Sequence, residues 1–276
     1  MSDEILYEVD DPVATIRLNR PDKLNALTYP MLRALRAAVD DAATDARVVG
    51  IVITGQGRGF CAGLDASVLA KTSAAGSAGK PAQTPGELPG LVSYLLRVPK
   101  PVVAAVNGPA AGGGFVLAAL CDVRFASADA SFTSVFSKRG LVAEHGTSWI
   151  LPRLVGAGRA LELLWSSRRV GAEEALRIGL VEFVTKPDEL VARAQAFVRE
   201  LAASVSPASL RETKRLVYDH LGFGFEPALR DADAAQWRQL DHPDALEGAS
   251  SYLEKRPPRF ARVGSRPGAG ARGDSG

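Results

Sequence analysis

The residues Asn107-Gly108-Pro109-Ala110-Ala111-Gly112-Gly113-Gly114 close one apolar run and open another. That is the pattern of a strand entering three glycines and then a helix. At such a place the first N–H groups of the helix lack acceptors of their own, and the helix dipole adds positive potential. Glycine also lets a ligand approach the backbone closely. The chemistry on offer is to hold an anion, or the oxygen of an activated acyl group as negative charge develops on it. A phosphate loop would need Gly-Lys-Ser/Thr after its glycines, whereas Gly114 is followed by Phe115-Val116. Neither glycine-rich segment supplies G-x-G-x-x-G between a strand and a helix, so the dinucleotide fingerprint fails as well. A plainer reading, glycines placed only for close helix packing, accounts better for the triplet taken alone.

Those residues need a scaffold, and the pattern supplies one. Residues 5–9 and 13–18 alternate as two strands of a hairpin. Thr28 can cap a helix to about residue 43, with Leu32, Leu35, Ala38 and Val39 on one face. Residues 48–54 form a continuous apolar run, as in a strand buried on both faces. After the loop Gly55-Gln56-Gly57-Arg58-Gly59, Asp65 can cap a short helix. Residues 71–90, rich in Ala, Gly, Ser and Pro, carry no periodicity and are expected to be a mobile surface loop. A helix over 91–97, a strand over 102–106, a helix over 113–120 and a strand over 123–126 follow. Strand, helix and strand in this order indicate crossover units and an α/β fold. After a short helix over 173–178 and an apolar run over 180–184, the chain is mainly helical from 188 to about 254. The expected organisation is a core over 1–200, a helical C-terminal region over 201–260 and a disordered tail over 261–276.

Composition narrows the function classes. The 276 residues are 46% hydrophobic and 23% charged, with a net charge of +2 that gives no support to nucleic-acid binding. Cys61 and Cys121 cannot make a disulfide framework, and with three scattered histidines no metal-ligand spacing occurs, so no metal is expected. The acidic start has no apolar stretch of the signal-peptide kind. Residues 101–121 are uncharged and long enough to span a bilayer, but Asn107, Pro109 and the glycines make a buried strand, turn and helix the better reading. No membrane association is expected, and the cytoplasm is the expected location.

Several segments then share one likeness. Gly59-Phe60-Cys61-Ala62-Gly63-Leu64-Asp65, Pro99-Lys100-Pro101-Val102-Val103-Ala104-Ala105-Val106-Asn107-Gly108, Gly112-Gly113-Gly114 and Cys121-Asp122 closely resemble the enoyl-CoA hydratase/isomerase (crotonase) superfamily. So do Asn19-Arg20-Pro21-Asp22-Lys23-Leu24-Asn25-Ala26-Leu27, Gly171-Ala172-Glu173-Glu174-Ala175 with Gly179-Leu180-Val181, and Glu254-Lys255-Arg256-Pro257-Pro258-Arg259-Phe260. Each motif alone is moderate, but the set occurs in order over about residues 5–260. The resemblance implies a crotonase-like spiral of β-β-α turns, a helical C-terminal region used in trimer assembly, and a homotrimer or dimer of trimers. It implies an acyl-CoA thioester as substrate, no cofactor beyond that coenzyme A, and an enolate held in an oxyanion hole. The donors carried over by position are the N–H of Leu64 and the N–H of Gly113. Lys23, Ala26 and Ala62 are implied to lie along the CoA, with Lys255 and Phe260 reaching a CoA on a neighbouring copy. Each lysine also reads as an ordinary exposed one, and Asp65 as a cap more than a catalyst.

The departures from the pattern concern the acids. The hydratases are implied to use two glutamates, and here those positions are Val116 and Phe136. Glu144 stands where enoyl-CoA isomerases of one branch, and dienoyl-CoA isomerases, carry an acid. One carboxylate suffices to move a double bond, taking a proton from C2 of a 3-enoyl thioester and returning it at C4. His145 could instead activate water for hydrolysis, though a structural role is the simpler reading, with Glu144 expected to point elsewhere. The leading expectation is an isomerase-like enzyme with Glu144 as acid/base. Alternatives are a hydratase or acyl-CoA hydrolase with atypical residues, or a non-catalytic acyl-CoA-binding trimer.

Overall fold

A computed structural model describes residues 3–79 and 88–264, and among the described residues there are two sheets and ten α-helices. The main sheet opens with the hairpin β1 (Ile5–Asp10) and β2 (Val13–Leu18), which pair antiparallel. Thr28 caps α1 (Tyr29–Thr44) by accepting the Met31 N–H, and Met31, Leu32, Leu35, Ala38, Val39 and Ala42 form its buried face. β3 (Gly50–Gly55) then pairs parallel with β2. α2 (Ala66–Ala75) follows, before β4 (Val102–Val106), β5 (Pro109–Ala111) and α3 (Gly113–Ala119). β6 (Val123–Ser127) and β7 (Ser131–Thr133) lead to α4 (Thr147–Val155) and α5 (Ala157–Ser166). β8 (Val170–Gly171), α6 (Ala172–Arg177) and β9 (Phe183–Thr185) end the α/β part. The main sheet has the order β1-β2-β3-β4-β6-β9, and a smaller one the order β5-β7-β8. The expected α/β spiral is the observed architecture.

β3 and β4 are buried along their whole length because both faces of the sheet are covered. Side chains alternate across a strand. Ile51, Ile53, Val102, Ala104 and Val106 therefore enter the larger core with α1 and α3. Val52, Val103 and Ala105 enter a second core with Leu190, Ala194 and Val198 of α7 (Leu190–Ser204). That helix crosses residue 200 and belongs, by packing, to the sheet.

α8 (Pro207–His220) is held by polar anchors more than by burial. Lys214 Nζ donates to Asp122 Oδ2 at 2.7 Å, and the Tyr218 hydroxyl donates to Asp122 Oδ1 at 2.9 Å. α9 (Phe225–Leu240) and α10 (Pro243–Leu253) leave Phe225, Trp237, Leu246, Tyr252 and Leu253 exposed.

Two expectations need amendment. The aperiodic loop over 71–90 is helical at its start, since α2 continues to Ala75 and a 3-10 turn follows over Gly76–Gly79. α2 buries none of its residues and so has no apolar stripe to read. It rests on the Asp65 cap and on good helix formers such as Ala66, Leu69, Ala70 and Lys71. Residues 80–87 of that expected loop lie outside the described residues, as do residues 265–276 of the tail expected over 261–276. Ahead of that tail, Ala261 N–H donates to Asp244 Oδ1 at 3.2 Å and Arg262 donates to Asp11 Oδ1 at 3.2 Å. The uncharged stretch over 101–121 is the strand, turn and helix expected, and among the described residues no helix is long and apolar enough to cross a membrane.

Candidate active site

The loop after β3 is held open by two asparagines. Buried Asn25 donates from Nδ2 to the carbonyls of Gln56 and Gly59 at 3.0 and 2.8 Å. Asn107 accepts from Gly55 N–H at 3.0 Å and donates to Gly57 O at 2.8 Å. The chain then runs beside β5: Cys61 N–H donates to Pro109 O at 3.1 Å, and Ala111 N–H to Cys61 O at 2.9 Å. Next comes a bridge with Leu27, whose N–H donates to Gly63 O at 2.7 Å and whose carbonyl accepts Asp65 N–H at 2.9 Å. Backbone groups alternate in direction along an extended segment, so the N–H of Leu64, lying between these two bonds, faces away from Leu27.

Gly113 is the first residue of α3. Gly112 N–H is occupied by Thr133 O at 3.0 Å, and the helix begins with Val116 N–H donating to Gly112 O at 2.9 Å. A first-turn N–H has no acceptor within its helix. Among the described residues, neither the Leu64 N–H nor the Gly113 N–H donates to a protein acceptor.

Glycine is required where these segments meet. Gly63 has φ +91°, and a Cβ there would lie 2.7 Å from Ala111 O and 3.1 Å from Gly113 N. A Cβ at Gly114 would lie 2.1 Å from Cys61 O. The glycines allow close packing and expose the donors at once, so the two readings of the triplet coincide.

The acid sits on the irregular segment between β7 and α4. Phe136 leads a 3-10 turn over Ser137–Arg139, and Leu141 N–H returns to Phe136 O at 3.0 Å. The Glu144 carbonyl accepts from Thr147 N–H at 3.0 Å and from Thr147 Oγ1 at 2.7 Å, which fixes its backbone at the start of α4. Leu64, Gly113 and Glu144 line one small cavity of about 20 Å³, together with Leu69, Gly112, Val135, Phe136, Arg139 and Leu141. A space of that size takes about one water-sized group.

Of the two positions expected to lack the usual acids, Val116 is fully buried within α3 and Phe136 presents an apolar ring to the cavity. Neither can move a proton. One expectation was wrong: Glu144 does not point away from His145, for His145 Nε2 lies 3.5 Å from Glu144 Oε1. The backbone of His145 is left-handed, with φ +55°. Burial holds the His145 imidazole below the usual histidine range, against the pull of the Glu144 charge.

Asp65 does cap α2, accepting from the Ser67 N–H at 3.0 Å. Its carboxyl is held below the usual range by the Ser67 hydroxyl and N–H, with help from Arg20. Burial pushes the thiols of Cys61 and Cys121 up to about 12, so neither is a nucleophile near neutral pH.

The residues expected along the CoA fall into two groups. Lys23, Ala26 and Ala62 adjoin, since Ala26 N–H donates to Lys23 O at 3.0 Å and Ala62 N–H to Leu24 O at 2.9 Å. Lys23 is exposed and Ala26 buried. Lys255 and Phe260 lie elsewhere, beyond α10, with the Phe260 ring beside Gly248. Within one chain, no described contact joins the two groups.

Comparison with known proteins shows the family. The profile of the family described as "Enoyl-CoA hydratase/isomerase" matches residues 8–263. The chain belongs to the enoyl-CoA hydratase/isomerase family. It is 34% identical over 265 residues to the 1,2-epoxyphenylacetyl-CoA isomerase of Escherichia coli, covering 94% of this chain and 99% of that protein. It is 34% identical over 252 residues to the enoyl-CoA hydratase ACTT3 of Alternaria alternata, covering 91% and 83%. The crystal structure of an enoyl-CoA hydratase from Mycobacterium tuberculosis superposes with a TM-score of 0.85 at 30% identity, over 96% of this chain and all of the other. As a member of the enoyl-CoA hydratase/isomerase family the chain is an acyl-CoA enzyme.

Reading the sequence missed three contributors. Arg139 and Val135 carry no motif signal, yet both line the cavity. Lys100 stands inside a quoted motif, but its job is structural: buried Nζ donates to Ala42 O at 2.9 Å and Asp45 O at 2.6 Å, tying the end of α1 to the entry of β4. Burial draws its pKa down to about 8.

Proposed function

We propose that this enzyme moves the double bond of a 3-enoyl-CoA into conjugation with its thioester, using Glu144 as the single acid/base. The observation that carries this reading is one cavity lined by Glu144 together with Leu64 and Gly113, two residues whose backbone N–H groups have no protein acceptor among the described residues. The Glu144 carboxylate takes a proton from C2. The electrons move onto the thioester oxygen, where the two N–H groups hold the dienolate, and the same carboxyl returns the proton at C4. Nothing is added to the substrate or lost from it. Donors aimed at a developing oxyanion contribute on the order of 100-fold or more each.

Hydration is the reaction named for most relatives. It requires a held water as well as a proton donor, and at Val116 and Phe136 no group can hold one. The 1,2-epoxyphenylacetyl-CoA isomerase of E. coli is, by its name, a relative in which the family's scaffold carries out an isomerisation. Lys23, Ala26 and Ala62 line the CoA in this proposal, with Lys255 and Phe260 supplied by a neighbouring copy. The exposed apolar side chains of α9 and α10 support assembly as a homotrimer or a pair of trimers.

The test is to incubate purified protein with 3-enoyl-CoA and with crotonyl-CoA separately. The expected result is conjugated 2-enoyl-CoA from the first and no 3-hydroxyacyl-CoA from the second. Hydration of crotonyl-CoA, release of free CoA, or full isomerase activity in Glu144→Gln would overturn the proposal.

A further inference from the structure

We infer that His145 is a positioning residue that holds the Glu144 carboxylate toward the two donors, an inference that rests on Glu144 being the acid/base. Glu144 has a polar partner at its main chain and a polar neighbour at its carboxylate. Its main-chain carbonyl is fixed by the N–H and hydroxyl of Thr147. Its carboxylate, on a side chain about one third exposed, has His145 Nε2 at 3.5 Å as its one charged or polar side-chain contact among the described residues. A free glutamate side chain samples many rotamers, and a misplaced base loses rate steeply. A neutral imidazole with its proton on Nε2 biases the carboxylate toward its side without neutralising it, through a polar contact longer than an ordinary hydrogen bond.

The backbone at His145 is arranged for this contact. A left-handed conformation is uncommon outside glycine, though histidine is among the residues that tolerate it, and such outliers persist where surrounding structure holds them. Here Gly146, also at positive φ, 87°, follows directly. From the other side, Gly90 is in ordinary contact, a Cβ there lying 3.4 Å from His145 Cα and 3.6 Å from its Cβ. The imidazole reaches Glu144, and its side chain is only about one fifth exposed.

The charged surroundings are sparse. Glu144 is the one group whose charge acts on the imidazole among the described residues. Arg139, on the preceding 3-10 turn, lines the cavity that Glu144 lines. Residues 88–93 bring no charged side chain, and Arg153 of α4 is engaged over the Trp149 ring. Burial keeps the imidazole neutral at pH 7. As pH falls the imidazole takes up a proton, and an imidazolium at 3.5 Å makes the carboxylate a weaker base. The acid limb of kcat therefore carries the titration of His145.

The experiment measures kcat, KM and the pH profile of 3-enoyl-CoA isomerisation for wild type, His145→Ala and His145→Gln. His145→Ala should lower kcat between about 10- and 100-fold with KM little changed. His145→Gln, whose amide can donate from nearly the same place, should recover most of that loss and move the acid limb to lower pH. An acid limb left in place by His145→Gln overturns the inference, as does wild-type kcat in His145→Ala. If the alanine variant melts early, the limb of the glutamine variant decides. Glu144→Gln separates the two levels: full activity there removes Glu144 as the base, whereas its inactivity beside an unchanged His145 series removes only the role of His145.

Discussion

In the proposed site the donor half is main chain clamped between regular elements, whereas the acid half is one side chain on an irregular turn. Leu64 and Gly113 sit where a bridge to Leu27, the strand β5 and the start of α3 meet, and their donors are placed by hydrogen bonds such as Leu27 N–H to Gly63 O at 2.7 Å. Glu144 lies on a stretch where Val135, Gly140, His145 and Gly146 all have positive φ. Val135 is β-branched, and for such a residue the left-handed region is a genuine strain, here at the wall of the cavity. Main-chain donors tolerate changes of side chain but not changes of backbone path. The acid has the opposite sensitivity. Such a division lets one scaffold keep its oxyanion site while the acid moves from position to position.

Ways to break the comparison begin with the acid. Glu144→Gln should lower isomerase kcat by about 100- to 10,000-fold, with thermal melting nearly unchanged because the side chain is partly exposed. A substantial drop in melting temperature would show that the acid half is also structural. Next in size is Gly63→Ala, which must push Ala111 O and Gly113 N away. Loss of one donor's alignment should reduce kcat about 100-fold, and the strain should lower stability by about 1–3 kcal/mol in a denaturant titration.

Smaller effects sharpen the contrast. Leu64→Ala keeps the N–H and should leave kcat close to wild type, with any change in KM, since that side chain lines the cavity. A large kcat loss in steady-state assays would mean the side chain, not the backbone, matters at this position. Least of all, alkylation of the folded enzyme with iodoacetamide at pH 8 should leave activity intact. Cys61 belongs to the donor half, but its thiol is buried and pushed up to about 12, as is that of Cys121. Rapid inactivation with a labelled Cys61 in the mass spectrum would contradict the buried placement.

What the sequence by itself determined is whatever short-range chemistry writes into neighbouring residues. The Thr28 and Asp65 caps, the apolar runs of β3 and β4, and the glycines that expose Leu64 and Gly113 N–H are requirements of local backbone geometry. They were legible because a cap needs a particular side chain at a particular step, and a close backbone approach needs glycine. Glu144 could be singled out as an acid, since Val116 and Phe136 left those positions empty of one.

Only the tertiary structure decided what lies together. It brought Glu144, Leu64 and Gly113 to one cavity, added Arg139 and Val135, and set His145 against the carboxylate. It also turned Asn25, Asn107 and Lys100 into braces for loops distant in sequence. Those outcomes depend on where an irregular turn lands after crossing the sheet and on single backbone angles such as that of His145. Periodicity and propensity average over several residues, so they carry no information about a direction set by one.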